Sequence, residues 1–209
     1  MTFEDAAKAC GIVAILRGVK PSDVLAIGEA LYTAGVRIVE VPLNSPDPFV
    51  SIAALADRFK GRMVVGAGTV LDTASVDNLK AAGGAISVSP DCNPIVITRA
   101  IELGLVPLPG VFTPSEAFTA IRAGATHLKL FPADAASPVT VKAWKAVLPK
   151  HVRIYAVGGV SPANMQVWSD AGCAGFGIGS NVYKPGKSPE DVGRSAAEFV
   201  TAWNALKRD

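Results

Sequence analysis

A single lysine interrupts a short apolar segment of this chain. Lys129 lies in the run His127-Leu128-Lys129-Leu130-Phe131-Pro132, which is typical of a strand that is buried on both faces. Burial removes water from an ammonium group and disfavours its charged form. A neutral lysine in an apolar pocket is a nucleophile that can form a Schiff base with a carbonyl substrate. The alternative is a lysine at a strand end whose side chain extends to water.

A carboxylate occupies a second apolar segment. Glu40 lies in Ile38-Val39-Glu40-Val41-Pro42 and forms, with Lys129, a pair of ionisable groups within predicted strands. A buried salt bridge is one interpretation, although such pairs often contribute little to stability. A catalytic pair is favoured, because a protonated imine is an electron sink and a nearby carboxylate can remove or return protons.

Two further polar residues follow apolar segments. Arg17 comes directly after Ile12–Leu16 and offers a planar fork that suits a carboxylate or a phosphate. Thr69 follows Val64–Gly68 and can donate a hydrogen bond to the same carboxylate. Each has a structural alternative, namely a surface arginine and a loop hydroxyl that caps the next helix.

A repeated pattern positions these residues. A short apolar segment, a Ser/Thr/Asn-Pro pair, a helical pattern and a pair ending in Gly recur about every 25 residues. The first residue of each Pro pair can cap a helix, and the Gly accepts the left-handed conformation at its end. The predicted helix starts are Ser45-Pro46, Asn93-Pro94, Thr113-Pro114, Ser137-Pro138, Ser161-Pro162 and Ser188-Pro189. The predicted ends are Ala34-Gly35, Ala82-Gly83, Leu103-Gly104, Ala123-Gly124 and Ala171-Gly172.

Eight predicted strands alternate with these helices. They are Ile12–Leu16, Ile38–Pro42, Val64–Gly68, Ala85–Ser89, Val106–Pro109, His127–Phe131, Arg153–Val157 and Gly175–Ile178. We expect an α/β fold in which residues 1–209 form one (β/α)8 TIM barrel, preceded by a short helix around Thr2–Ala9. An open doubly wound sheet is the alternative. Catalytic residues of such barrels lie at the C-terminal ends of several strands, where the polar residues above fall.

Glycines after the last two predicted strands indicate an anion site. Gly158-Gly159 and Gly177-Ile178-Gly179-Ser180 expose backbone amides, and we expect a helix to begin directly after the first pair. Amides and a helix dipole together attract anions, and barrels often bind phosphate after strands seven and eight. Two tight turns without a ligand are the alternative. Gly66-Ala67-Gly68-Thr69 lacks the full glycine pattern of a nucleotide-binding motif.

The composition limits the class of partner. Twenty Lys and Arg against eighteen Asp and Glu give no strong field, so nucleic acid is not expected. No apolar run of about 18 residues and no signal-peptide pattern is present, so a cytoplasmic protein without membrane contact is expected. Cys10, Cys92 and Cys173 are expected to be reduced thiols. The histidines do not cluster with them, and no metal site is expected.

The motifs together resemble a known family. Over nearly its whole length the chain is similar to the class I 2-keto-3-deoxy-6-phosphogluconate aldolases and their galactonate counterparts, whose keto acids are also written 2-dehydro-3-deoxy. The residues that carry the resemblance are Ile12-Val13-Ala14-Ile15-Leu16-Arg17-Gly18, Val39-Glu40-Val41-Pro42-Leu43-Asn44-Ser45-Pro46, Gly66-Ala67-Gly68-Thr69-Val70, Ser87-Val88-Ser89-Pro90, Leu128-Lys129-Leu130-Phe131-Pro132 and Val157-Gly158-Gly159-Val160.

The resemblance implies a reaction and a role for each site residue. It implies a lyase that reversibly splits a phosphorylated keto acid into pyruvate and D-glyceraldehyde 3-phosphate and that uses no metal or cofactor. It also implies that the protein is a homotrimer. By this resemblance Lys129 forms the Schiff base and Glu40 is the general acid and base. The other implied positions are Arg17 and Thr69 near the pyruvate carboxylate, Pro90 and Phe131 beside the imine, and Gly158, Gly159 and Ser180, with the neighbouring Gly179, at the phosphate.

Two positions favour the galactonate branch. Many gluconate enzymes carry Arg where this chain has Asn44, and they tend to have Thr where it has Val157. The two substrates differ only in configuration at C4, and a hydroxyl at position 157 could hydrogen-bond one epimer. We therefore expect cleavage of 2-dehydro-3-deoxy-6-phosphogalactonate. Cleavage of the gluconate epimer, or of both epimers, is the alternative.

Two other functions fit the same residues. A phosphosugar isomerase or epimerase would use Glu40 as a base and Lys129 as a fixed cation. A non-catalytic phosphosugar-binding protein would bind its ligand without releasing pyruvate. Borohydride treatment in the presence of pyruvate separates them from an aldolase, because only an imine leaves a permanent adduct on Lys129.

Overall fold

Parallel strands and helices alternate along the computed structural model of the protein, which describes residues 1–207. The strands are β1 (Ile12–Ile15), β2 (Ile38–Pro42), β3 (Val64–Gly68), β4 (Ile86–Val88), β5 (Val106–Leu108), β6 (Gly110–Val111), β7 (His127–Leu130), β8 (Arg153–Val157) and β9 (Cys173–Ile178). The helices are α1 (Phe3–Ala9), α2 (Val24–Ala34), α3 (Pro48–Arg58), α4 (Thr73–Ala81), α5 (Pro94–Glu102), α6 (Pro114–Arg122), α7 (Pro138–Val147), α8 (Met165–Asp170) and α9 (Pro189–Ala205). A short 3₁₀ helix spans Ala133–Ala135.

The sheet closes into a barrel. Its strand order is β5-β4-β3-β2-β1-β9-β8-β7-β6, and neighbouring strands are parallel. The two ends of this order, β5 and β6, are separated in the chain only by Pro109, whose carbonyl accepts a 2.8 Å hydrogen bond from the Lys129 amide. The predicted (β/α)8 barrel is therefore confirmed, and the open sheet is excluded. The predicted fifth strand, Val106–Pro109, ends at Leu108 in the structure. After Pro109 the chain continues as β6, which was not predicted, because the pairing partner changes there from β4 to β7.

A short helix closes one end of the barrel. The Thr2 hydroxyl accepts from the Asp5 amide, and the Asp5 carboxylate accepts from the Thr2 amide, so that α1 begins with a capping box. The Phe3 ring lies 4.8 Å from the ring of His127, a buried ionisable residue of β7 that also lies 3.0 Å from Glu4. Further buried residues of the strands pack in the same cluster as Phe3, namely Val13, Ile38, Val64, Ile86, Leu108 and Tyr155. The barrel interior is thus filled at this end, and space for a site is left at the other.

Most predicted helix boundaries are confirmed. Pro is the first residue of α5, α6, α7 and α9, each after the predicted Ser, Thr or Asn. The glycines at the five predicted helix ends have φ between 69° and 105°. No helix in the part of the chain that the structure describes is long and apolar enough to cross a membrane.

Two predicted helix starts are wrong. α3 begins at Pro48 after Asp47, and α8 begins at Met165 after Asn164. Ser45-Pro46 lies in a loop because the Ser45 hydroxyl accepts a hydrogen bond from the distant Gly18 amide. Ser161-Pro162 lies in a turn because the Ser161 amide donates to the Asn164 side chain, 2.9 Å away. The same dipeptide pattern therefore serves loop contacts as well as helix caps.

Candidate active site

Lys129 is buried inside the barrel. Lys129 is 7% exposed. It lies on β7, where it is paired with Gly110 of β6 on one side and Tyr155 of β8 on the other. The Nζ atom lies 4.3 Å from the centroid of the Phe131 ring. Burial lowers the pKa of Lys129, the Glu40 carboxylate opposes this shift, and the positive charge of Arg17 adds to it. A lowered pKa increases the neutral fraction of the amine, which is the nucleophilic form.

Glu40 is a buried carboxyl group on the facing strand β2. It is 2% exposed and packs over Gly68 of β3, where a Cβ atom would overlap its carboxylate. Its Oε2 atom is buried and has no hydrogen-bond partner in residues 1–207. Burial raises the pKa of Glu40 to about 7, against the opposing charges of Lys129 and Arg17. A carboxyl group with this pKa can both accept and return a proton near neutral pH.

The two groups influence each other without a direct ion pair. Each charge changes the pKa of the other group, but within residues 1–207 Glu40 and Lys129 form no salt bridge. The buried salt bridge considered from the sequence is therefore not observed. The amine and the carboxyl therefore act on each other through their charges, and neither is held in an ion pair with the other.

A cavity of about 460 Å³ opens at the C-terminal ends of the strands. Seven of the predicted site residues line it, namely Arg17, Phe131, Val157, Gly158, Gly159, Gly179 and Ser180. Phe131 connects the cavity to Lys129, because its ring lies over the amine. The loop after β9 adds Asn181, Tyr183, Lys184 and Pro185. These four residues were not predicted from the sequence, because no glycine pair or apolar segment marks them.

Thr69 lies outside the cavity lining, in a strained conformation after β3. Its φ of 59° is left-handed, which β-branched residues rarely adopt. Such a residue costs about 1–2 kcal/mol. The Thr69 hydroxyl does not cap α4, because the Asp72 side chain accepts from the Ser75 amide at 2.7 Å. The cap alternative is therefore wrong, and strain of this kind is typical of functional positions.

Pro90 also lies outside the cavity lining, in the loop after β4. The Ser89 hydroxyl and the Gly110 amide both donate to the Asp91 carbonyl, at 2.9 and 3.1 Å. Gly110 allows a close approach, because a Cβ atom there would overlap the Pro90 carbonyl. Since Gly110 is paired with Lys129, these contacts bring Pro90 to the strand beside the lysine.

The glycine loops after β8 and β9 form one wall of the cavity. Gly158 and Gly159 have φ of 109° and 67°, and the Asn181 side chain joins the two loops by donating to the Val160 carbonyl at 3.0 Å. In residues 1–207 the amides of Gly159 and Ser180 donate to no backbone carbonyl. Open amides of this kind bind anions. The expected helix dipole is absent, because α8 begins only at Met165.

These features define a class of protein. A parallel barrel with a buried amine of lowered pKa beside a buried carboxyl, below a cavity with open amides, is the arrangement of a barrel enzyme that acts on carbonyl compounds through lysine. The family described as "Aldolase: KDPG and KHG aldolase" matches residues 3–193. The chain belongs to this family and is an aldolase, a type of lyase. An isomerase, an epimerase and a binding protein are thereby disfavoured.

Individual relatives agree with this assignment. The 2-dehydro-3-deoxy-6-phosphogalactonate aldolase of Escherichia coli (strain K12) is 46% identical over 192 residues, which are 92% of this chain and 94% of the relative. A solved native KDPGal structure is 46% identical, with a TM-score of 0.91 over 92% of this chain and 94% of that one. A chain of a cube-shaped protein cage designed by fusing symmetric oligomeric domains is also 46% identical, with a TM-score of 0.92 over 93% and 72%.

Proposed function

We propose that the protein is a Schiff-base aldolase that reversibly cleaves 2-dehydro-3-deoxy-6-phosphogalactonate to pyruvate and D-glyceraldehyde 3-phosphate. The observation that carries this proposal is the buried Lys129 amine beside the unpaired Glu40 carboxyl. The substrate follows from the Escherichia coli relative, whose name states it. Nearly complete coverage of both chains supports a shared reaction.

The reaction proceeds through an imine on Lys129. The neutral amine attacks the C2 carbonyl of the keto acid to give a carbinolamine. The acid form of Glu40 supplies the proton with which this carbinolamine loses water, which leaves a protonated imine and a Glu40 carboxylate. Glu40, directly or through one water, removes the proton of the C4 hydroxyl as the C3–C4 bond breaks and its electrons enter the imine. The aldehyde leaves, and Glu40 returns a proton to C3 of the enamine. Hydrolysis of the protonated imine then releases pyruvate and the neutral Lys129 amine, and Glu40 takes up the proton that is freed. Since the imine is the electron sink, these steps need no metal or cofactor.

The cavity suggests how the substrate is oriented. The Arg17 guanidinium lies at the cavity wall and suits the keto-acid carboxylate, to which Thr69 adds a hydroxyl. Phe131 and Pro90 border the imine. The terminal phosphate then reaches the open amides of the Gly158-Gly159 and Gly179-Ser180 loops. A substrate held at both ends places its C2 atom toward Lys129.

Val157 is the residue proposed to favour the galactonate epimer. Its side chain is buried at the cavity wall, where Gly177 of β9 leaves space for it, and it offers no hydrogen bond. We expect wild type to cleave the galactonate epimer at least as well as the gluconate epimer. Val157→Thr adds a hydroxyl at nearly constant volume, and it should raise relative activity on the gluconate epimer by about 2- to 13-fold.

The test is kcat/KM for both epimers in both proteins, with pyruvate release as the readout. A wild-type preference for the gluconate epimer that Val157→Thr leaves unchanged would remove Val157 from the proposal. Absence of pyruvate release from either substrate would contradict the aldolase reaction itself.

We also propose that the enzyme is a cytoplasmic homotrimer. The designed cage whose chain is 46% identical to this one is described as made by fusing symmetric oligomeric domains, which supports self-association. Light scattering on the purified protein should give three times the mass of the chain, and a monomer mass would contradict this part of the proposal.

A further inference from the structure

Ser45 makes a contact for which the proposed reaction gives no role. It lies in the loop after β2, the strand that carries Glu40, and is only 7% exposed. Its hydroxyl accepts a 2.9 Å hydrogen bond from the Gly18 amide, 27 residues earlier in the chain. Its own amide donates to the Pro42 carbonyl at 2.9 Å, which fixes Ser45 relative to β2.

The segment that contains Arg17 is held on both sides by β2 and its loop. The Leu16 amide donates to the Glu40 carbonyl at 2.9 Å, and the Gly18 amide donates to Ser45. Gly18 has a φ of 79°, and a Cβ atom at this position would lie 2.9 Å from Pro185. Gly18 therefore lies close to Pro185 in a left-handed conformation that suits glycine, and the Ser45 hydroxyl satisfies its amide there.

The Arg17 side chain depends on this backbone support. It is exposed at the cavity wall, and within residues 1–207 its guanidinium makes no hydrogen bond or ion pair with the protein. Its charge nevertheless acts on both Glu40 and Lys129. Because the Arg17 guanidinium has no partner in the described residues, its direction depends on the backbone from which the side chain extends.

We infer that Ser45 is a positioning residue that fixes the Arg17-Gly18 backbone and thereby directs the Arg17 guanidinium to the carboxylate of the keto acid. The inference rests on the proposed aldolase function. It assigns Ser45 to recognition of pyruvate rather than to the imine chemistry, because Glu40 and Lys129 lie on strands that are paired on both sides within the barrel.

The first test is Ser45→Ala, measured in the condensation of pyruvate with D-glyceraldehyde 3-phosphate. Loss of one hydrogen bond should raise KM for pyruvate by about 2- to 13-fold, with kcat within about twofold and KM for the aldehyde unchanged. Ser45→Cys, which keeps the volume but accepts hydrogen bonds weakly, should show a smaller rise. Ser51→Ala is the matched control, because Ser51 is fully buried in α3 and its hydroxyl has no partner in residues 1–207.

The second test is a double-mutant cycle with Arg17→Ala. If Ser45 acts through Arg17, then Ser45→Ala should raise KM for pyruvate no further in the Arg17→Ala background. Additive effects, an equal rise in KM for the aldehyde, or an unchanged KM in active Ser45→Ala would overturn the positioning role and leave the aldolase proposal intact. Failure of wild type to condense the two compounds would overturn both.

Discussion

Glu40 links pH to activity because burial holds its pKa at about 7, above the ordinary 4.5. A carboxylate is needed to remove the C4 hydroxyl proton, so kcat/KM should fall as pH falls through about 7. Glu40→Gln keeps the side-chain volume but removes the base. We expect it to lower kcat by roughly 10²-fold or more and to abolish this acidic limb. A pH profile of kcat/KM tests this, and an unchanged limb in the variant would assign it to another group.

The same residue should affect stability in the opposite direction. Because the folded pKa is raised, ionisation of Glu40 opposes folding, and its stabilising contribution is lost as pH rises from about 4.5 to 7. Glu40→Gln should therefore increase the free energy of unfolding by roughly 1–3 kcal/mol at pH 8 and change it little at pH 4. Urea unfolding at both pH values measures the difference. If Glu40→Gln destabilised the protein equally at both pH values, this would contradict the conclusion that the Glu40 carboxyl is buried and unpaired.

Thr69 should lower the stability of the fold and strengthen the binding of pyruvate. Glycine can adopt the φ of 59° observed at Thr69 without steric cost. The resulting gain in stability is offset in part by the greater chain entropy that glycine loses on folding. Thr69→Gly should therefore raise the free energy of unfolding by up to about 1 kcal/mol. It should also raise KM for pyruvate, since the hydroxyl is lost, whereas Thr69→Ser should retain binding. A stabilised Thr69→Gly enzyme with normal KM would show that the strain serves no binding role.

At the scale of the elements, α1 stabilises the barrel from the end opposite the cavity. Phe3 is 5% exposed and contacts the rings of His127 and Tyr155. Phe3→Ala should lower the free energy of unfolding by about 3–5 kcal/mol. Below the new melting temperature, KM and kcat should stay close to wild type, because no residue of α1 reaches the cavity. A large change in KM with unchanged stability would contradict this division of roles.

Element boundaries could be predicted where the signal is local. Thr113 and Glu116 form the capping box of α6 within four residues, so the sequence alone indicated where that helix begins. Ser45-Pro46 has the same appearance, but its hydroxyl is bound by Gly18, and a contact over 27 residues leaves no local signature. For this reason the position of Ser45 was misassigned although its residue type was noticed.

At the scale of the whole molecule, the alternation of apolar segments and capped helices was enough to predict the barrel. Lys129 and Glu40 were found because a charge is conspicuous in an apolar strand. Two features were not predicted, namely the closure of the barrel at Pro109 and the cavity-lining loop that contains Lys184. Both depend on contacts between segments that are distant in the sequence, and no local sequence pattern indicates such contacts.

The central claim is that Lys129 forms an imine with pyruvate. The direct measurement is borohydride reduction in the presence of pyruvate, followed by intact mass and peptide mapping. One reduced pyruvate per chain should appear on Lys129, and none should appear without pyruvate or in Lys129→Met. Lys145→Met is the matched control, since burial also lowers the pKa of Lys145, and this variant should still be labelled on Lys129. No adduct in wild type, or an adduct on another lysine, would contradict the account.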